Sequence, residues 1–347
     1  MEILIYDNEL NNIAMLENAS VIWVTRYYDI GDFELYMPFS HEYINLLKVG
    51  YYVGRNNVDQ LGIIENINIS YDVENGSYLK ITGRLAEGII ARRIVWNQTR
   101  LSGLIENKLR DLVTDNVINP SDVDRKIDEI ALGQLKNLDI QIQAQFTGTN
   151  LAEAIKKVCQ AAGLGWKLVF DKNNRKFNFE LYSGVNRSYG QTATNNPYVV
   201  FSDKYDNLNS SVYDLNTGNE NNIAKIAGEG EGTARRTAVY GTGSGINRKE
   251  IFVDAKDISS NEGEIGEEEY TAQLLERGSE SLVNITELFS GEIIVDTNQY
   301  TYRKDFNIGD IVTIENEEWN LIINSRIIEI IESEDDTGYR ITLTFGT

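Results

Sequence analysis

Residues 63–85, IIENINISYDVENGSYLKITGRL, decide the fold class. Apolar side chains occupy alternate positions on both sides of Asn75-Gly76, namely Ile67, Ile69, Tyr71, Leu79 and Ile81. A period of two puts such side chains on one face of a β-strand. An Asn-Gly pair readily adopts the positive φ angles of a tight turn. The stretch therefore predicts an antiparallel β-hairpin.

Strand patterns continue outward from this hairpin in both directions. Residues 1–96 alternate between short apolar runs and turns, broken only by a short helix predicted within Phe39–Leu47. The last strand alternates from Tyr339 to Phe345, and the whole chain contains 19 Tyr but 3 Pro. Such content favours strands over helices.

Residues 97–185 have a different pattern, which predicts an α+β insert. Leu101–Leu112 has the i, i+3, i+4 spacing of a helix. A second helix is punctuated by Asn150 as the N-cap and Gly163 just past the end. The alternation in residues 166–181 then predicts a two-stranded ribbon against that helix.

The predicted fold is mainly β, with two β-barrel-type domains and this α+β insert. A Gly-, Thr- and Asn-rich stretch from Tyr189 to about Pro197 serves as the return linker, and a helix is expected at about 267–289. The predicted division is residues 1–96 for the first barrel, 97–185 for the insert, 186–245 for the returning part of the first barrel, and 246–347 for the second barrel.

Composition excludes several classes of function. The formal charge of −21, from 53 acidic and 32 basic residues, disfavours binding to phosphate backbones and anionic lipid surfaces. One Cys and one His exclude an intramolecular disulfide framework and a Cys₂His₂ or Cys₄ zinc site. No apolar stretch is long enough for a membrane span, and the N-terminus lacks a signal-peptide pattern. We therefore expect a chain that is made in the cytoplasm and stays soluble.

The sequence contains few residues of the types that catalysis requires. We therefore predict no catalytic, cofactor-binding or metal-binding residues and no enzymatic activity. A serine or cysteine nucleophile needs a neighbouring His, and only His41 is available. Cys159 lies on or beside the apolar stripe of its helix and is interpreted as a packing residue. The acidic runs at residues 267–269 and 332–336 are interpreted as solvated faces or a turn.

The run Gly228-Glu229-Gly230-Glu231-Gly232, followed by Arg235-Arg236, invites comparison with a phosphate-binding loop. The two glutamates would repel an anion, and no Lys-Ser/Thr pair closes the loop. We interpret it as a structural glycine loop in which backbones pass closely.

Several stretches resemble, in order, tail hub proteins from phages of Gram-positive bacteria. They are residues 21–35 (VIWVTRYYDIGDFEL), 198–202 with 206–208, 227–235 (AGEGEGTAR), 248–255 (RKEIFVDA), 307–312 (NIGDIV), Glu318-Trp319 and the closing strand. The resemblance spans nearly the whole chain.

The resemblance implies a structural hub of a phage tail, a defective prophage or a tail-like bacteriocin, similar to the trimeric hub of contractile tails. Three copies would present six barrels and adapt a sixfold tail tube to a threefold tip, around a central channel. The implied partners are copies of the chain, the tail tube or distal tail protein, the tail-tip spike or fibre protein, and the tape measure protein. The implied location is the virion tail, assembled in the host cytoplasm, without specific nucleic-acid binding or membrane insertion.

Two other classes of function stay open. A carbohydrate-binding adhesin at the tail tip would need aromatic platforms on exposed loops. A cell-wall hydrolase would need a pair of catalytic carboxylates in a cleft. The final strand closes the sequence at Thr347, so we expect no fused lysin.

Overall fold

The computed structural model of the chain describes residues 2–16, 19–56, 58–74, 76–192, 195–260, 263–282, 286–293 and 299–346. Within these ranges the protein is mainly β, with strands gathered around hydrophobic cores and four α-helices. This confirms the predicted fold class.

The first barrel is formed by eight strands. They are β1 (Ile3–Tyr6), β2 (Asn12–Leu16), β3 (Ser20–Arg26), β4 (Asp32–Pro38), β5 (Tyr52–Arg55), β6 (Leu61–Ile63), β7 (Asn66–Asp72) and β8 (Gly76–Arg84). One sheet has the order β2-β1-β5-β6, while β3, β4, β8 and β7 follow one another in a larger sheet. The two sheets enclose a core that includes Trp23, Phe33 and Leu35. The short helix α1 (His41–Leu46) lies in the predicted place, capped by the Ser40 side chain.

The predicted hairpin is confirmed as β7 paired antiparallel with β8. Ile67 lies opposite Ile81 and Ile69 opposite Leu79, so the alternation does set the register. Asp72 faces Gly76, whose φ of +80° is the left-handed conformation expected at this turn. Asn75 itself lies outside the described residues.

The first insert contains both strands and helices, as expected. Its elements are β9 (Thr99–Leu104), α2 (Ile105–Val113), β10 (Ile130–Leu132), β11 (Gln141–Phe146), α3 (Leu151–Ala162), β12 (Gly165–Asp171) and β13 (Lys176–Tyr182). Helix α3 is capped as predicted: the Asn150 side chain accepts from Ala152 N, and Gly163 adopts φ +66°. The antiparallel ribbon β12–β13 is also confirmed.

The helix predicted over Leu101–Leu112 was wrong at its start. Residues 99–104 form β9, which pairs along its length with β11, and α2 begins only at Ile105. Gly103 has φ +129°, a conformation incompatible with a helix. Helical spacing of leucines was therefore overridden by strand pairing. After α2 the backbone widens into a π-helical turn, Thr114–Ile118.

The rest of the chain forms the second barrel and a second insert. Its elements are β14 (Val200–Ser202), β15 (Leu208–Asn216), β16 (Ile223–Ala227), β17 (Thr237–Gly241), β18 (Glu250–Asp254), α4 (Glu267–Ser281), β19 (Thr286–Ile293), β20 (Ile311–Asn316), β21 (Leu321–Asp335) and β22 (Gly338–Gly346). Strands β14, β15 and β19–β22 surround a core rich in phenylalanine, including Phe201, Phe289, Phe306 and Phe345.

Strands β14 and β15 do not return to the first barrel, as sequence analysis had assigned them. Strand β14 pairs with β20, β15 pairs with β19, and Phe201 and Leu208 lie in the second core. Alternation identified these strands, but it does not specify which distant strand each one pairs with.

The second insert, residues 217–282, was not predicted as a unit. Its three-stranded sheet has the order β17-β16-β18, and α4 covers one face through Tyr270 and Leu274. The helix expected at about 267–289 is shorter, because it ends at Ser281. Residues 286–293 instead pair with β15 and β22, which buries Phe289 in the second core.

One long strand, β21, belongs to both barrels. Residues 321–326 pair with β20 in the second barrel, and residues 329–334 pair with β3 in the first. A register shift between Ile327 and Glu329 separates the two halves. The result is a continuous path of eight strands, β15-β19-β22-β21-β3-β4-β8-β7.

A buried ion pair fastens the two barrels where β21 crosses. Arg55 of β5 donates two hydrogen bonds to Glu332 of β21, at 2.8 and 2.7 Å, and Arg303 adds a third at 2.9 Å. Burial opposes ionisation of Glu332, but the hydrogen bond and charge of Arg55 lower the pKa of this carboxyl overall. Tyr339 also donates to Glu332, at 2.7 Å, so the carboxylate is fully engaged.

Candidate assembly surface

The eight-stranded path ends in two edge strands, β7 and β15, each paired on one side only within the described chain. Both carry exposed apolar side chains. Ile69 and Tyr71 of β7 are 53% and 73% exposed, and Val212 and Leu215 of β15 are 61% and 55% exposed. An edge strand with free backbone groups and apolar side chains is a template for pairing with another chain. The sheet therefore ends on both sides in an edge strand that can pair with a strand of another chain.

The eight-stranded sheet also has one open face. Alternate side chains of its strands point into the two cores, and the remaining ones point to the opposite side. On β7 and β8 the open face carries Asn66, Asn68, Ser70, Tyr78, Lys80 and Thr82, and on β22 it carries Arg340, Thr342 and Thr344. Tyr36 of β4 stacks on Tyr78 there, with ring centroids 4.9 Å apart. The face is thus mostly polar, with one aromatic pair and the exposed apolar side chains of Ile22 and Val212.

Carboxylates outnumber cations on this open face. Its acids are Asp32, Glu34, Asp72, Asp214, Glu292, Glu329 and Asp335, and its cations are Arg26, Lys80, Arg84 and Arg340. Each cation is in an ion pair: Arg26 with Asp32 and Glu329, Lys80 with Glu34, Arg84 with Glu65, and Arg340 with Asp335. The open face of the sheet therefore carries a net negative charge.

Comparisons with known proteins agree with this architecture. Residues 2–347 match the family described as Siphovirus ReqiPepy6 Gp37-like protein. The chain belongs to that family. No curated protein is significantly similar to this Gp37-like chain.

Solved structures of phage tail proteins share the fold of this family member. The 43 kDa tail protein of prophage MuSo2 from Shewanella oneidensis superimposes with a TM-score of 0.58 at 16% identity, covering 99% of this chain and 98% of the other. The tail protein from Neisseria meningitidis MC58 gives 0.55 at 12% identity, covering 99% and 96%. Prophage tail protein gp18 from Listeria monocytogenes EGD-e gives 0.52 at 14% identity, covering 99% and 94%. The resemblance to phage tail proteins expected from the sequence is confirmed, since the chain shares their fold over nearly its whole length.

Cys159 and His41, the residues considered for nucleophilic catalysis, lie in different environments. Cys159 is fully buried on α3 against the core of the first insert, and burial raises the pKa of its thiol. This confirms the interpretation of Cys159 as a packing residue. His41 is exposed at the start of α1, where its ring contacts Phe39 edge-on at 5.3 Å.

The glycine loop is structural in the way the sequence suggested. Gly230 and Gly232 have φ of +96° and +54°. The arginines that follow are engaged locally: Arg235 donates to the carbonyl of Gly228 at 2.9 Å, and Arg236 pairs with Glu229 at 2.7 Å. Both guanidiniums are committed to holding the loop.

A cavity of about 460 Å³ lies where the first insert meets both barrels. Asp310 lines it but accepts from Val185 N and Arg187 Nε, so its carboxylate is engaged in structure. Glu180 pairs with Lys136 at 3.5 Å, and Asp59 also lines the cavity. The described residues contain no group of three or more His, Cys, Asp or Glu arranged to hold a metal ion. No helix in those ranges is long and apolar enough to cross a membrane.

Sequence analysis did not identify β7 and β15 as exposed edge strands. The alternation in β7 placed Ile69 on one face of the strand with Ile67 and Tyr71 but did not indicate that this side chain is more than half exposed. Exposure follows from β7 being the last strand of the path, because β7 pairs with β8 and with no other strand of the described chain. A strand's position within a sheet has no local signal in its own residues.

Proposed function

We propose that the chain is a tail or baseplate hub subunit, three copies of which close into a ring around a central channel. The ring would join a sixfold tail tube to a threefold tip, because each copy contributes two barrel-type domains. The observation that carries the proposal is the eight-stranded sheet with an exposed apolar edge at each end.

The two edges favour a head-to-tail contact. Strand β7 has seven residues and β15 has nine, so one copy's β7 can lie along the next copy's β15 over most of its length. A contact between two different surfaces closes into a ring when its rotation is a simple fraction of a turn. The exposed Ile69, Tyr71, Val212 and Leu215 would then be buried between copies.

The open face would line the channel in such a ring. Its excess carboxylates repel phosphate groups, and its Ser, Thr and Asn side chains are hydrated. DNA could therefore pass without being held. The whole-chain charge of −21 supports the same behaviour.

The inserts would lie outside the ring and face other tail proteins. The proposed partners are the tail tube or distal tail protein, the tape measure protein and the tail-tip spike or fibre protein. The proposed domain division is a first barrel within residues 1–96, a first insert at 97–185, a second insert at 217–282, and a second barrel built from residues 200–216 and 286–346. The proposed place of assembly is the host cytoplasm.

Cysteine cross-linking tests the head-to-tail contact. Ser70→Cys on β7 is combined in turn with Ser210→Cys, Val212→Cys and Asp214→Cys on β15 in the full chain. The natural Cys159 is buried and does not compete. We expect one combination to give covalent dimers and closed trimers, because disulfides form only when the Cα atoms approach to within about 7 Å.

The controls distinguish disulfides formed at a specific contact between copies from disulfides formed by random collision. Ser70→Cys alone, and Ser70→Cys with Ser244→Cys on the second insert, should give no closed trimer. Cross-linking is run at high protein concentration or in assembled tails, since ring closure follows mass action. A sixfold ring of single subunits, or a location on peripheral fibres, would overturn the hub assignment.

Zymography on bacterial cell walls tests the hydrolase alternative. We expect no clearing, because Asp310 is engaged by backbone and Arg187 and Glu180 is paired with Lys136. A clear band that disappears in Asp59→Asn or Glu180→Gln would establish a hydrolase in the cavity. Binding of soluble glycans would instead favour the adhesin alternative.

A further inference from the structure

Three arginines where the first barrel joins the first insert, Arg92, Arg93 and Arg125, form no ion pair with a carboxylate within the described chain. Arg93 donates to the backbone carbonyls of Arg125 and Arg92, at 2.8 and 3.2 Å. Arg125 donates to the carbonyl of Ile94 at 2.8 Å and to the Asn116 side chain at 3.4 Å. In a protein with 53 acids and 32 bases, such a cluster of unpaired cations is unexpected.

The acids near these arginines are engaged with other groups. A hydrogen bond from Arg84, with a smaller contribution from the charge of Arg92, lowers the pKa of Glu65, which pairs with Arg84 at 2.6 Å. The Asp122 side chain accepts from Asp124 N at 3.1 Å, and Asp128 pairs with Lys126 at 2.6 Å. Burial, followed by the positive charges of Arg125 and Arg92, lowers the pKa of Arg93. The three guanidiniums therefore repel one another in the isolated chain.

An exposed tryptophan lies beside these arginines. Trp96 is 55% exposed, and the guanidinium of Arg125 stacks on its ring at 4.7 Å from the centroid. Ile94 and Val123, 38% and 74% exposed, extend the apolar surface. Stacking on an aromatic face leaves guanidinium N–H groups free to bind anions in the ring plane.

Buried contacts hold this arrangement in place. Asn116 is 3% exposed and sits in the π-helical turn, a feature that often marks functional sites. Its side chain accepts from Trp96 N at 3.0 Å and donates to the carbonyl of Leu112 at 2.9 Å. The same oxygen accepts from Arg125, so one buried amide positions both the aromatic and the cation.

We propose that this basic-aromatic patch, Arg92, Arg93, Trp96 and Arg125, docks an acidic polypeptide segment of a partner protein. Carboxylates of the segment would pair with the guanidiniums, and an apolar side chain would cover Trp96 and Val123. Arg and Trp are the residue types that dominate binding energy at protein interfaces. A carboxylate accepts two parallel hydrogen bonds from one guanidinium, and three arginines suit a short segment.

A long nucleic acid fits the patch less well. DNA carries a charge about every 1.7 Å, so it would extend from three cations onto a protein surface that is acidic overall. A short acidic segment places its few charges on the patch and nowhere else. The chemistry therefore selects a peptide over a phosphate polymer.

The test uses the full chain and a short fluorescein-labelled peptide of alternating Glu and Leu, followed by fluorescence anisotropy at low salt. Arg92→Gln should weaken binding roughly threefold, as expected for one exposed ion pair. Trp96→Ala should weaken it about tenfold. Raising the salt should weaken binding to the parent more than to Arg92→Gln.

Matched controls keep the result interpretable. Arg248→Gln removes an exposed arginine of the second insert, and Trp319→Ala removes a tryptophan that is 44% exposed, and neither should change binding. Arg92 makes no hydrogen bond through its side chain in the described chain, so Arg92→Gln should melt as the parent does. Trp96→Phe should recover part of the binding lost in Trp96→Ala.

Three outcomes would overturn the proposal. The first is equal binding of a peptide in which Gln replaces Glu. The second is unchanged affinity in Arg92→Gln and Trp96→Ala. The third is stronger competition by single-stranded DNA or a sulfated oligosaccharide than by the unlabelled peptide, which would assign the patch to a different class of anion.

Discussion

The two inserts are attached to the barrels in different ways. The core of the first insert is continuous with residues of the first barrel, since Phe177 and Leu168 share one cluster with Tyr6, Ile63 and the 3₁₀ turn at Ala86–Arg92. The core of the second insert contains only its own residues: Ala224, Ile226, Ala255, Ile258, Tyr270 and Leu274. One insert is thus part of the body of the protein, and the other is a separate unit placed on it.

Polar contacts join the second insert to the first. Arg277 donates to the carbonyl of Gln145 at 3.0 Å, and the side chains of Gln98 and Gln145 donate to the carbonyl of Asp257 at 3.3 and 3.2 Å. Such contacts contribute little net free energy, because water replaces them when they break. The length of an insert therefore does not show whether its core is shared with the barrel, as in the first insert, or separate, as in the second.

Removing each insert gives the largest expected contrast. Asn216 and Thr286 face each other at the end of the β15–β19 pair, so residues 217–285 can be replaced by a short Asn-Gly turn. That variant should fold and keep a cooperative thermal transition. Replacing residues 97–183 by a Gly/Ser linker should prevent folding, because it exposes Tyr6 and Ile63 of the shared core.

Circular dichroism and differential scanning calorimetry on both variants measure this contrast. If the chain without residues 97–183 melts cooperatively, the first insert is not integral. If the chain without residues 217–285 fails to fold, the second insert is not separable.

Gly230→Val tests the internal order of the second insert. A Cβ at Gly230 would lie 2.7 Å from the carbonyl oxygen of Ala234, and the φ of +96° is strained for any side chain. We expect a loss of about 2–3 kcal/mol in the stability of this unit. Gly232→Val is the matched control: its φ of +54° is also positive, but its Cβ would meet nothing within 4 Å.

Chemical denaturation, with proteolysis confined to residues 217–282 as a local readout, measures the difference between the two variants. Equal losses would show that backbone conformation alone matters. A Gly230→Val protein that melts and assembles like the parent would remove the structural role of the loop.

Tyr270→Phe should have a smaller effect on the same unit. The Tyr270 hydroxyl accepts from Glu229 N at 2.8 Å and donates to the carbonyl of Ile258 at 3.3 Å, tying α4 to the glycine loop. Loss of the hydroxyl should cost about 1 kcal/mol, since the ring still fills the core. Hydrogen exchange of the Glu229 amide measures it, and Tyr189→Phe, with an exposed ring, is the control.

Acid should loosen the second insert before the first. A hydrogen bond from Arg235 lowers the pKa of Asp254, and contacts with Ser260 and then Arg236 lower that of Glu229. A carboxyl whose pKa is lower in the folded than in the unfolded chain stabilises the fold when the pH is above its unfolded-state pKa. This contribution is lost as the pH falls below about 4. In the first insert, side-chain hydrogen bonds from Lys126 and Asn174 also lower the pKa of Asp128 and Asp171, but both groups lie at the surface, away from its core. Burial raises the pKa of Glu87 beneath that core, so protonation there does not destabilise it.

Pepsin digestion at decreasing pH measures this order. We expect cleavage within residues 217–282 first, with residues 97–185 protected. Simultaneous cleavage of both inserts would contradict the assignment of acid sensitivity to the second.

Sequence patterns predicted those elements whose signals are local. The β7–β8 hairpin followed from alternation around Asn75-Gly76, and α3 followed from its two caps. Local signals misled where distant pairing overrode them. Leucine spacing suggested a helix at Leu101, but that segment pairs with β11 as a strand. Phe289 lies beyond the end of α4, in a strand that pairs with β15 and β22.

The assembly surface and the patch could not be predicted for a related reason. The exposure of β7 and β15 is set by which strands end the sheet, and this is a property of the whole topology. The patch likewise brings Arg125 onto Trp96 through a buried Asn116, across segments that are separate in the sequence. The charge of −21 gave no hint of a local cluster of unpaired cations.

The strand shared by both barrels has a consequence for biosynthesis. Strand β3 emerges from the ribosome about three hundred residues before its neighbour, residues 329–334 of β21. Until then one side of β3 stays unpaired and Arg55 lacks Glu332. Pairing across so much chain is slow, and partly made chains with open edges tend to aggregate. Synthesis of β21 therefore gates the maturation of the first barrel, so only chains that contain this strand present both edges of a fully formed sheet.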